Sequence, residues 1–217
     1  MTQGRVDRRE HWDIVYSSKP EDAVSWFQSI PEVSLALVAQ VVDPASARVI
    51  DVGGGTSRLV DHLLEGGARN VSVLDVSERA LQVVRDRLGE AGRGVEWLSA
   101  DVTEFRPPHQ WDLWHDRAVF HFLTDPGDRA AYRGVLLDAL PEGGYAIIAA
   151  FAPDGPTRCS GLEVVRYDPS GLLEALEPGF ELVDFRRESH LTPAGAEQPF
   201  VYTVLRRIAA APRGGGA

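Results

Sequence analysis

Hydrophobic positions follow two different spacings along the chain, and the two spacings predict strands and helices in turn. Short apolar runs predict strands at 48–52, 71–75, 95–99, 111–115 and 145–150. Apolar residues on one helical face predict helices at 32–42, 57–65, 78–88 and 129–140. The predicted strand at 145–150 is apolar throughout, as is typical of the centre of a parallel sheet. This alternation predicts an α/β protein with a doubly wound sheet and helices on both faces.

The end of the chain departs from this alternation. Two strand-like segments, 181–187 and 200–206, follow one another with no helix between them, which predicts an antiparallel pair. We divide the chain into an ordered N-terminal cap over the active site at 1–30, one domain at 31–208, and a disordered tail at 209–217. The aromatic residues of the first segment and the small residues of the last suggest this division.

Composition narrows the class of protein. The 217 residues are 44% hydrophobic and 25% charged, which is the mixture of an ordinary soluble globular domain. A net charge of -10 repels phosphates, so we expect no nucleic-acid partner. Cys159 is the only cysteine, which excludes an intrachain disulfide and a cysteine-based zinc site. No segment has the signature of a secretory signal or a membrane span, so we expect a cytoplasmic protein without a membrane partner.

A glycine turn after the first strand is the most specific chemical signal. Asp51 precedes Gly53, Gly54 and Gly55, and Ser57 stands where a dinucleotide fingerprint has its third spaced glycine. An acid at this position would repel a pyrophosphate and suits a cationic ligand better.

Two further acids, Asp75 and Asp101, end the second and third strands. Asp75 is at the position that accepts hydrogen bonds from two ribose hydroxyls. Together with Asp51, they predict a nucleoside pocket at the carboxyl ends of three successive strands.

The Asp-Val-Gly-Gly-Gly spelling at 51–55 resembles motif I of class I S-adenosylmethionine-dependent methyltransferases. The resemblance covers roughly residues 30–208, and it implies a single-domain Rossmann-like methyltransferase fold. That fold has a seven-stranded, mostly parallel sheet with an antiparallel last strand. It also implies S-adenosyl-L-methionine as cofactor, S-adenosyl-L-homocysteine as product, and an adenine contact for Asp101. The cofactor-binding residues predicted in this way are Asp51, Gly53, Gly54, Gly55, Ser57, Asp75, Val76, Asp101, Val102, Asp116 and Trp26.

Candidates for acid-base chemistry follow the fourth strand. His115 and Asp116 are predicted at its carboxyl end, and His121 lies six residues beyond His115. Each is a candidate base for an acceptor that must lose a proton, and the alternative for each histidine is a packed, hydrogen-bonded ring. No metal site is predicted, because the departing thioether is neutral and no ligand cluster is visible. The residues predicted to bind the acceptor are Tyr16, Arg117, Arg158, Arg166, Tyr167 and His190.

The predicted function is methyl transfer from the sulfonium to a nucleophile on a small molecule or a protein side chain. The HWD-x-x-Y and SWFQ spellings near the N-terminus also resemble a subgroup related to protein lysine methyltransferases.

Two alternatives to a methyltransferase remain. One is a cofactor-binding partner protein without catalysis, and the other is a nicotinamide-dependent oxidoreductase, although Lys19 is the only lysine for a Tyr-x-x-x-Lys pair. The acceptor atom and the oligomeric state stay open.

Overall fold

Seven strands form one sheet at the centre of the computed structural model, which describes residues 7–209. In chain order the strands are β1 (Arg48–Val52), β2 (Asn70–Asp75), β3 (Glu96–Ser99), β4 (Leu113–Arg117), β5 (Tyr145–Phe151), β8 (Phe180–Leu191) and β9 (Glu197–Arg207). A separate two-stranded hairpin consists of β6 (Arg158–Cys159) and β7 (Leu162–Glu163). Positions 1–6 of the predicted cap and 210–217 of the predicted tail lie outside the described residues.

The strand order in the sheet is β3-β2-β1-β4-β5-β9-β8. Neighbours from β3 to β5 pair in parallel, whereas β9 runs antiparallel to both β5 and β8. The prediction of a mostly parallel seven-stranded sheet with an antiparallel last strand is therefore confirmed.

Helices cover both faces of this sheet, as predicted. They are α1 (Arg8–Ser18), α2 (Glu32–Val41), α3 (Leu59–Glu65), α4 (Glu78–Leu88), α5 (Pro126–Ala139) and α6 (Pro169–Leu176). Side-chain oxygens cap the N-termini of several of these helices. Ser77 accepts a hydrogen bond from an amide of α4, and Asp125 and Asp168 do the same for α5 and α6. None of the helices within residues 7–209 is long and apolar enough to cross a membrane.

The period-two pattern of β5 explains the two apolar cores. Ala146, Ile148 and Ala150 face one core, which α5 and α6 complete. Ile147 and Ala149 face the opposite core, which α2 and α3 complete. Both faces of β5 are covered, as expected of a strand that is apolar throughout, and β5 lies inside the sheet between β4 and β9.

The fourth strand begins two residues later than predicted. Trp111 and Asp112 hydrogen-bond to Ala139 and Arg48 before the ladder with β5 begins at Leu113. As a correction to the sequence analysis, His115, Asp116 and Arg117 thus belong to β4 itself and do not follow its end.

A second correction concerns the final strand pair. Both strands extend beyond the predicted bounds, to Leu191 in β8 and from Glu197 in β9. His190 therefore pairs with Gln198 inside the sheet, although it was predicted to lie in the connecting turn.

Candidate active site

The glycine turn after β1 packs so closely that side chains are excluded from it. The amide of Gly53 donates to the carbonyl of Leu74 at 2.7 Å, which ties the turn to β2. Gly53 has a φ of 64°, and a Cβ at this position would overlap the Val119 side chain. A Cβ on Gly55, whose φ is 49°, would overlap the Tyr16 hydroxyl. The backbone itself is thus the surface that a ligand meets here.

Asp51 is the acidic group beneath this turn. One of its carboxylate oxygens lies 2.8 Å from His115 Nδ1, and His115 Nε2 lies 2.9 Å from the Ser34 hydroxyl. With the Nδ1 proton directed at the carboxylate, Nε2 accepts from Ser34, so both ring nitrogens are occupied. The other oxygen of Asp51 is buried and has no hydrogen-bond partner among the described residues. An unpaired buried carboxylate oxygen is suited to a cationic group of a ligand.

Asp75 ends β2 and reaches the same space. One of its oxygens accepts a hydrogen bond from the amide of Ser77 at 2.8 Å. Burial raises the pKa of Asp75 to about 7, against the opposing effect of the Ser77 and Gly55 amides, and the charge of Asp51 adds to the rise. Burial thus outweighs the two amide donors, and the Asp75 carboxylate lines the cavity that the strand ends and α1 enclose.

Asp101, which follows β3, has partners that the sequence analysis did not anticipate. Arg8 of α1 donates to both carboxylate oxygens at 2.9 and 3.1 Å and also contacts Asp128 of α5. Thr103 donates to Asp101 through its amide and its hydroxyl. Although burial favours the neutral acid, the bonds from Thr103 and Arg8 lower the pKa of Asp101. Asp101 thus anchors α1.

The larger of two neighbouring cavities lies between α1 and the carboxyl ends of the strands. Six aromatic side chains contribute to its wall: Trp12, Tyr16, Trp26, Phe122, Phe151 and Phe200. Its polar lining includes Arg8, Asp75, Asp101, Arg117, Cys159 and Gln198. The second, smaller cavity is lined by residues that include Ser34, Asp51, Gly53, Gly54, Ser57 and His115. Trp26, Gly53 and Arg117 line both cavities.

The aromatic wall is built largely from the N-terminal segment. Arg8, Trp12 and Tyr16 are spaced four residues apart on α1, so they share one helical face, and that face lines the cavity. The Trp12 ring meets the rings of Phe122 and Trp26 edge to face, with centroids 5.1 and 5.8 Å apart.

Arg117 is the cation at the junction of the two cavities. It donates to the Tyr202 hydroxyl at 3.0 Å and to the Trp26 carbonyl at 2.9 Å. Its guanidinium lies 4.7 Å from the centre of the Phe200 ring, and Glu188 lies 4.0 Å away as counter-ion. These contacts fix the guanidinium against the wall of the larger cavity.

Most predicted cofactor-binding residues come together around these cavities. Those that line the larger cavity are Trp26, Gly53, Asp75, Val76, Asp101 and Val102. Asp51, Gly54 and Ser57 line the smaller one. Gly55 lies between Tyr16 and Asp75, although it lines neither cavity.

Asp116 is not at a cavity wall. It accepts hydrogen bonds from the Tyr132 hydroxyl at 2.7 Å and the Val119 amide at 2.8 Å. Burial raises its pKa to about 6, against the effect of these two donors. In this position Asp116 holds the turn that carries Ala118, whose φ is 73°. Asp116 thus supports a turn beside the site and, contrary to the prediction, lines neither cavity.

His121 also lines neither cavity, although it lies directly behind two wall residues of the larger one. It is fully buried, neither ring nitrogen has a hydrogen-bond partner among the described residues, and its ring packs against Phe122 and Phe151. Burial and the charge of Arg117 lower the pKa of His121 to about 3. The ring is therefore neutral at physiological pH and has no contact with the cavity.

The predicted acceptor-binding residues divide into two groups. Tyr16 and Arg117 line the larger cavity. The two arginines of the loop after β5 donate instead to backbone carbonyls of that loop, and the ring of Tyr167 packs against Phe120. His190 contacts the Ser25 carbonyl at 2.8 Å. The residues that the structure does not bring to either cavity are Arg158, Arg166, Tyr167 and His190.

Sequence reasoning missed several residues of the cavity, notably Arg8, Phe122 and Phe200. The four-residue spacing of Arg8, Trp12 and Tyr16 was a signal that they share a helical face. The two phenylalanines had no such signal, because they lie on elements far apart in the chain. Within residues 7–209, no group of three or more His, Cys, Asp or Glu side chains is arranged to hold a metal ion.

The strand order and the three acids at neighbouring strand ends define a class I S-adenosylmethionine-dependent methyltransferase fold. Comparison with known proteins agrees, since residues 49–144 match the family described as "Methyltransferase domain". This segment is thus a methyltransferase domain, and S-adenosylmethionine is the cofactor of its class.

Individual relatives extend the comparison. The chain is 30% identical over 122 residues to a ubiquinone biosynthesis O-methyltransferase of Aromatoleum aromaticum, over 55% of this chain and 49% of the relative. It therefore spans about half the length of that relative. It is 25% identical to EEF1A lysine methyltransferase 2 of Danio rerio, over 82% of this chain and 77% of the relative.

A crystal structure gives the same fold at lower identity. It is the 1,6-didemethyltoxoflavin-N1-methyltransferase of Burkholderia thailandensis with bound 1,6-didemethyltoxoflavin and S-adenosylhomocysteine. The TM-score is 0.67 at 22% identity, over 93% of this chain and 84% of the other.

The residues of the site fit S-adenosylmethionine. The unpaired oxygen of Asp51 is suited to an ammonium group, and the carboxylate of Asp75, which lines the larger cavity, is suited to ribose hydroxyls. The glycine turn offers backbone where a Cβ would collide with its neighbours.

Proposed function

We propose that the chain transfers a methyl group from S-adenosylmethionine to a nucleophilic atom of a small molecule bound in the aromatic cavity. One observation carries the proposal: the cavity is continuous from the acids Asp75 and Asp101 to a wall of aromatic side chains beneath α1. The first part is suited to the nucleoside, and the second is suited to an apolar or planar acceptor.

Alignment and exclusion of water are the contributions that we propose for these residues. When bound, S-adenosylmethionine supplies an electrophilic methyl group on a sulfonium. The rings of Trp12, Trp26 and Phe122 line the cavity and exclude water, and the face of an aromatic ring attracts a cation. His115, Asp116 and His121, which we predicted as bases, do not line the larger cavity. We therefore propose an acceptor that is nucleophilic without a base from these three residues, so that its orientation provides most of the rate.

We further propose that the segment up to residue 30 acts as a cap over the site. Its helix α1 contributes Arg8, Trp12 and Tyr16 to the cavity on one face, whereas Ile14 on another face is 60% exposed. Trp12→Ala should lower turnover by about tenfold through loss of the wall, and the matched variant Ile14→Ala should leave turnover unchanged. Equal effects of the two substitutions would contradict the cap.

A protein lysine side chain is the second candidate acceptor. The 25% identity to EEF1A lysine methyltransferase 2, over most of both chains, favours it. Against it, the charged side chain on the acceptor side of the cavity is the cation Arg117, which repels an ammonium group. The names of the ubiquinone and didemethyltoxoflavin relatives both refer to small molecules, which supports the first candidate.

Labelling distinguishes these functions. The protein is incubated with methyl-labelled S-adenosylmethionine and a cell extract, and the products are separated into small-molecule and protein fractions. Asp75→Ala serves as the control that lacks the ribose-binding group. Label in small molecules, dependent on Asp75, is the expected result. Label confined to the protein fraction would replace this proposal with the lysine candidate. Cofactor binding without labelled product across a broad set of extracts would indicate a non-catalytic partner protein.

A further inference from the structure

Arg87 lies on α4 and lines neither cavity, yet its guanidinium joins three parts of the site. Nε and Nη2 donate to the two carboxylate oxygens of Asp61 at 2.9 and 2.6 Å. Nη2 also donates to the Ser57 carbonyl at 2.7 Å, and Nη1 donates to the Thr56 carbonyl at 3.3 Å. Nη1 makes a further bond of 2.7 Å to Glu21. The side chain thus connects α3, the exit of the glycine turn and the N-terminal segment.

This set of contacts uses the full capacity of the side chain. A guanidinium has five N–H donors in a fixed plane, and Arg87 makes five hydrogen bonds with them. The side chain is only 14% exposed. Although burial opposes the charge, the bonds and charges of Asp61 and Glu21 raise the pKa of Arg87. The cation is therefore permanent and fixed in one orientation.

The two carbonyls that Arg87 binds belong to the turn itself. Thr56 and Ser57 follow Gly55 directly, and the Ser57 amide donates to the Gly54 carbonyl at 2.7 Å. Holding the Ser57 carbonyl therefore also limits the movement of Gly54, which lines the smaller cavity.

The N-terminal segment also binds Arg87, through the carboxylate of Glu21. Glu21 belongs to the short 3₁₀ helix Glu21–Ala23 and lines the smaller cavity, and Trp26, three residues beyond that helix, lines both cavities. One carboxylate oxygen of Glu21 binds Arg87, and the other binds Arg58. Two arginines and two acids thus form a neutral cluster behind the turn, with Asp61 as the fourth member.

We propose that Arg87 is a positioning residue for the cofactor, which sets cofactor affinity by fixing the glycine turn without touching the ligand. The proposal rests on the proposed function. Without the guanidinium, two carbonyls of the turn lose their donors, and Glu21 and Asp61 face each other with less compensating charge. The glycine turn is then less ordered before the ligand binds. Ordering the turn on binding costs free energy, and this weakens cofactor affinity.

The test compares Arg87→Met with the matched variant Arg85→Met. Arg85 lies on the same helix, pairs with Glu78 and covers Trp97 at 5.4 Å, away from the turn. Binding of S-adenosylhomocysteine is measured by calorimetry, and KM for the cofactor and kcat are measured with labelled cofactor. We expect Arg87→Met to raise Kd and KM about tenfold, with kcat at saturating cofactor within about twofold of the unmodified protein. Arg85→Met should change neither.

The outcomes distinguish failure of this proposal from failure of the proposed function. Arg87→Met with an unchanged Kd overturns the proposal, as does a loss confined to kcat. If Arg87→Met does not fold, Arg87→Lys decides. The lysine keeps the charge but not the planar fork, so we still expect a Kd raised about fivefold, and full affinity would overturn the proposal. If the unmodified protein fails to bind S-adenosylhomocysteine, the proposed function fails instead.

Discussion

Replacing Asp75 by asparagine should stabilise the ligand-free protein at alkaline pH and weaken cofactor binding. The carboxylate is 4% exposed, and asparagine keeps its shape and the oxygen that accepts from Ser77. What the substitution removes is a negative charge that the fold holds away from water. The two effects have opposite signs. The buried charge lowers the stability of the protein without ligand, but it strengthens the hydrogen bonds to a bound ligand.

The magnitude follows from the pKa of Asp75. Its ordinary value is 3.8, and burial raises it to about 7 in the folded protein. The folded state therefore holds the proton more tightly than the unfolded state. The associated stability is fully present below about pH 4, and it is lost as the pH rises through about 7. Between about pH 5 and pH 8.5 this loss is about 3 kcal/mol, and the asparagine variant does not share it.

Urea unfolding of both proteins at several pH values measures this difference. The free energy of unfolding of Asp75→Asn minus that of the unmodified protein should rise by about 3 kcal/mol across the range. Asp86→Asn, at an exposed position on α4, is the matched control and should give no trend. A difference for Asp75→Asn that does not change with pH would refute the reasoning.

Cofactor affinity gives the second half of the prediction. Hydrogen bonds from two hydroxyls to a charged acceptor contribute about 3 kcal/mol together, so Kd for S-adenosylhomocysteine should rise about 100-fold in Asp75→Asn. Calorimetry at about pH 8.5, above the raised pKa of Asp75, measures this change with the carboxylate ionised. An unchanged Kd would remove Asp75 from the ribose site.

Three further substitutions test other parts of the site. Gly53→Ala should weaken S-adenosylhomocysteine binding at least about tenfold, because its φ of 64° and the adjacent valine oppose a Cβ, and retained affinity in calorimetry would contradict this. Ser34→Ala should lower the free energy of unfolding by about 1–3 kcal/mol, because His115 Nε2 loses its buried partner, and urea unfolding measures the loss. Tyr132→Phe removes a donor to Asp116 and should raise the pKa of that carboxyl further, so the stability loss should be larger at pH 8 than at pH 5. An equal loss at both pH values would show that the hydroxyl does not hold the ionised form.

The sheet was predictable because its signals are local. Apolar runs, the Ser77 cap and the glycine turn each act within a few residues, and the strand-end acids then follow from the parallel order. The shift of β4 was not predictable, because Trp111 is as apolar as a strand residue but packs ahead of the ladder. The roles of His115 and His121 depend on neighbours distant in the chain.

The same limit explains why the cavity wall was only partly predicted. Arg8 and Trp12 sit in a polar-looking segment, and only the folded arrangement brings them against Asp101 and Phe122. Arg87 had no sequence signal, since an arginine on an amphipathic helix ordinarily faces water.

The distribution of tryptophans gives this protein two separate optical reporters. Trp12 and Trp26 stand at the cavity wall, so a ligand that enters there changes the surroundings of both indoles and quenches or shifts their emission. Trp111 and Trp114 are at most 1% exposed, and their indole N–H groups donate to Ser72 and to a tyrosine, so their emission changes when the core opens. Ligand entry therefore perturbs one pair of indoles directly, whereas the other pair responds when the core opens.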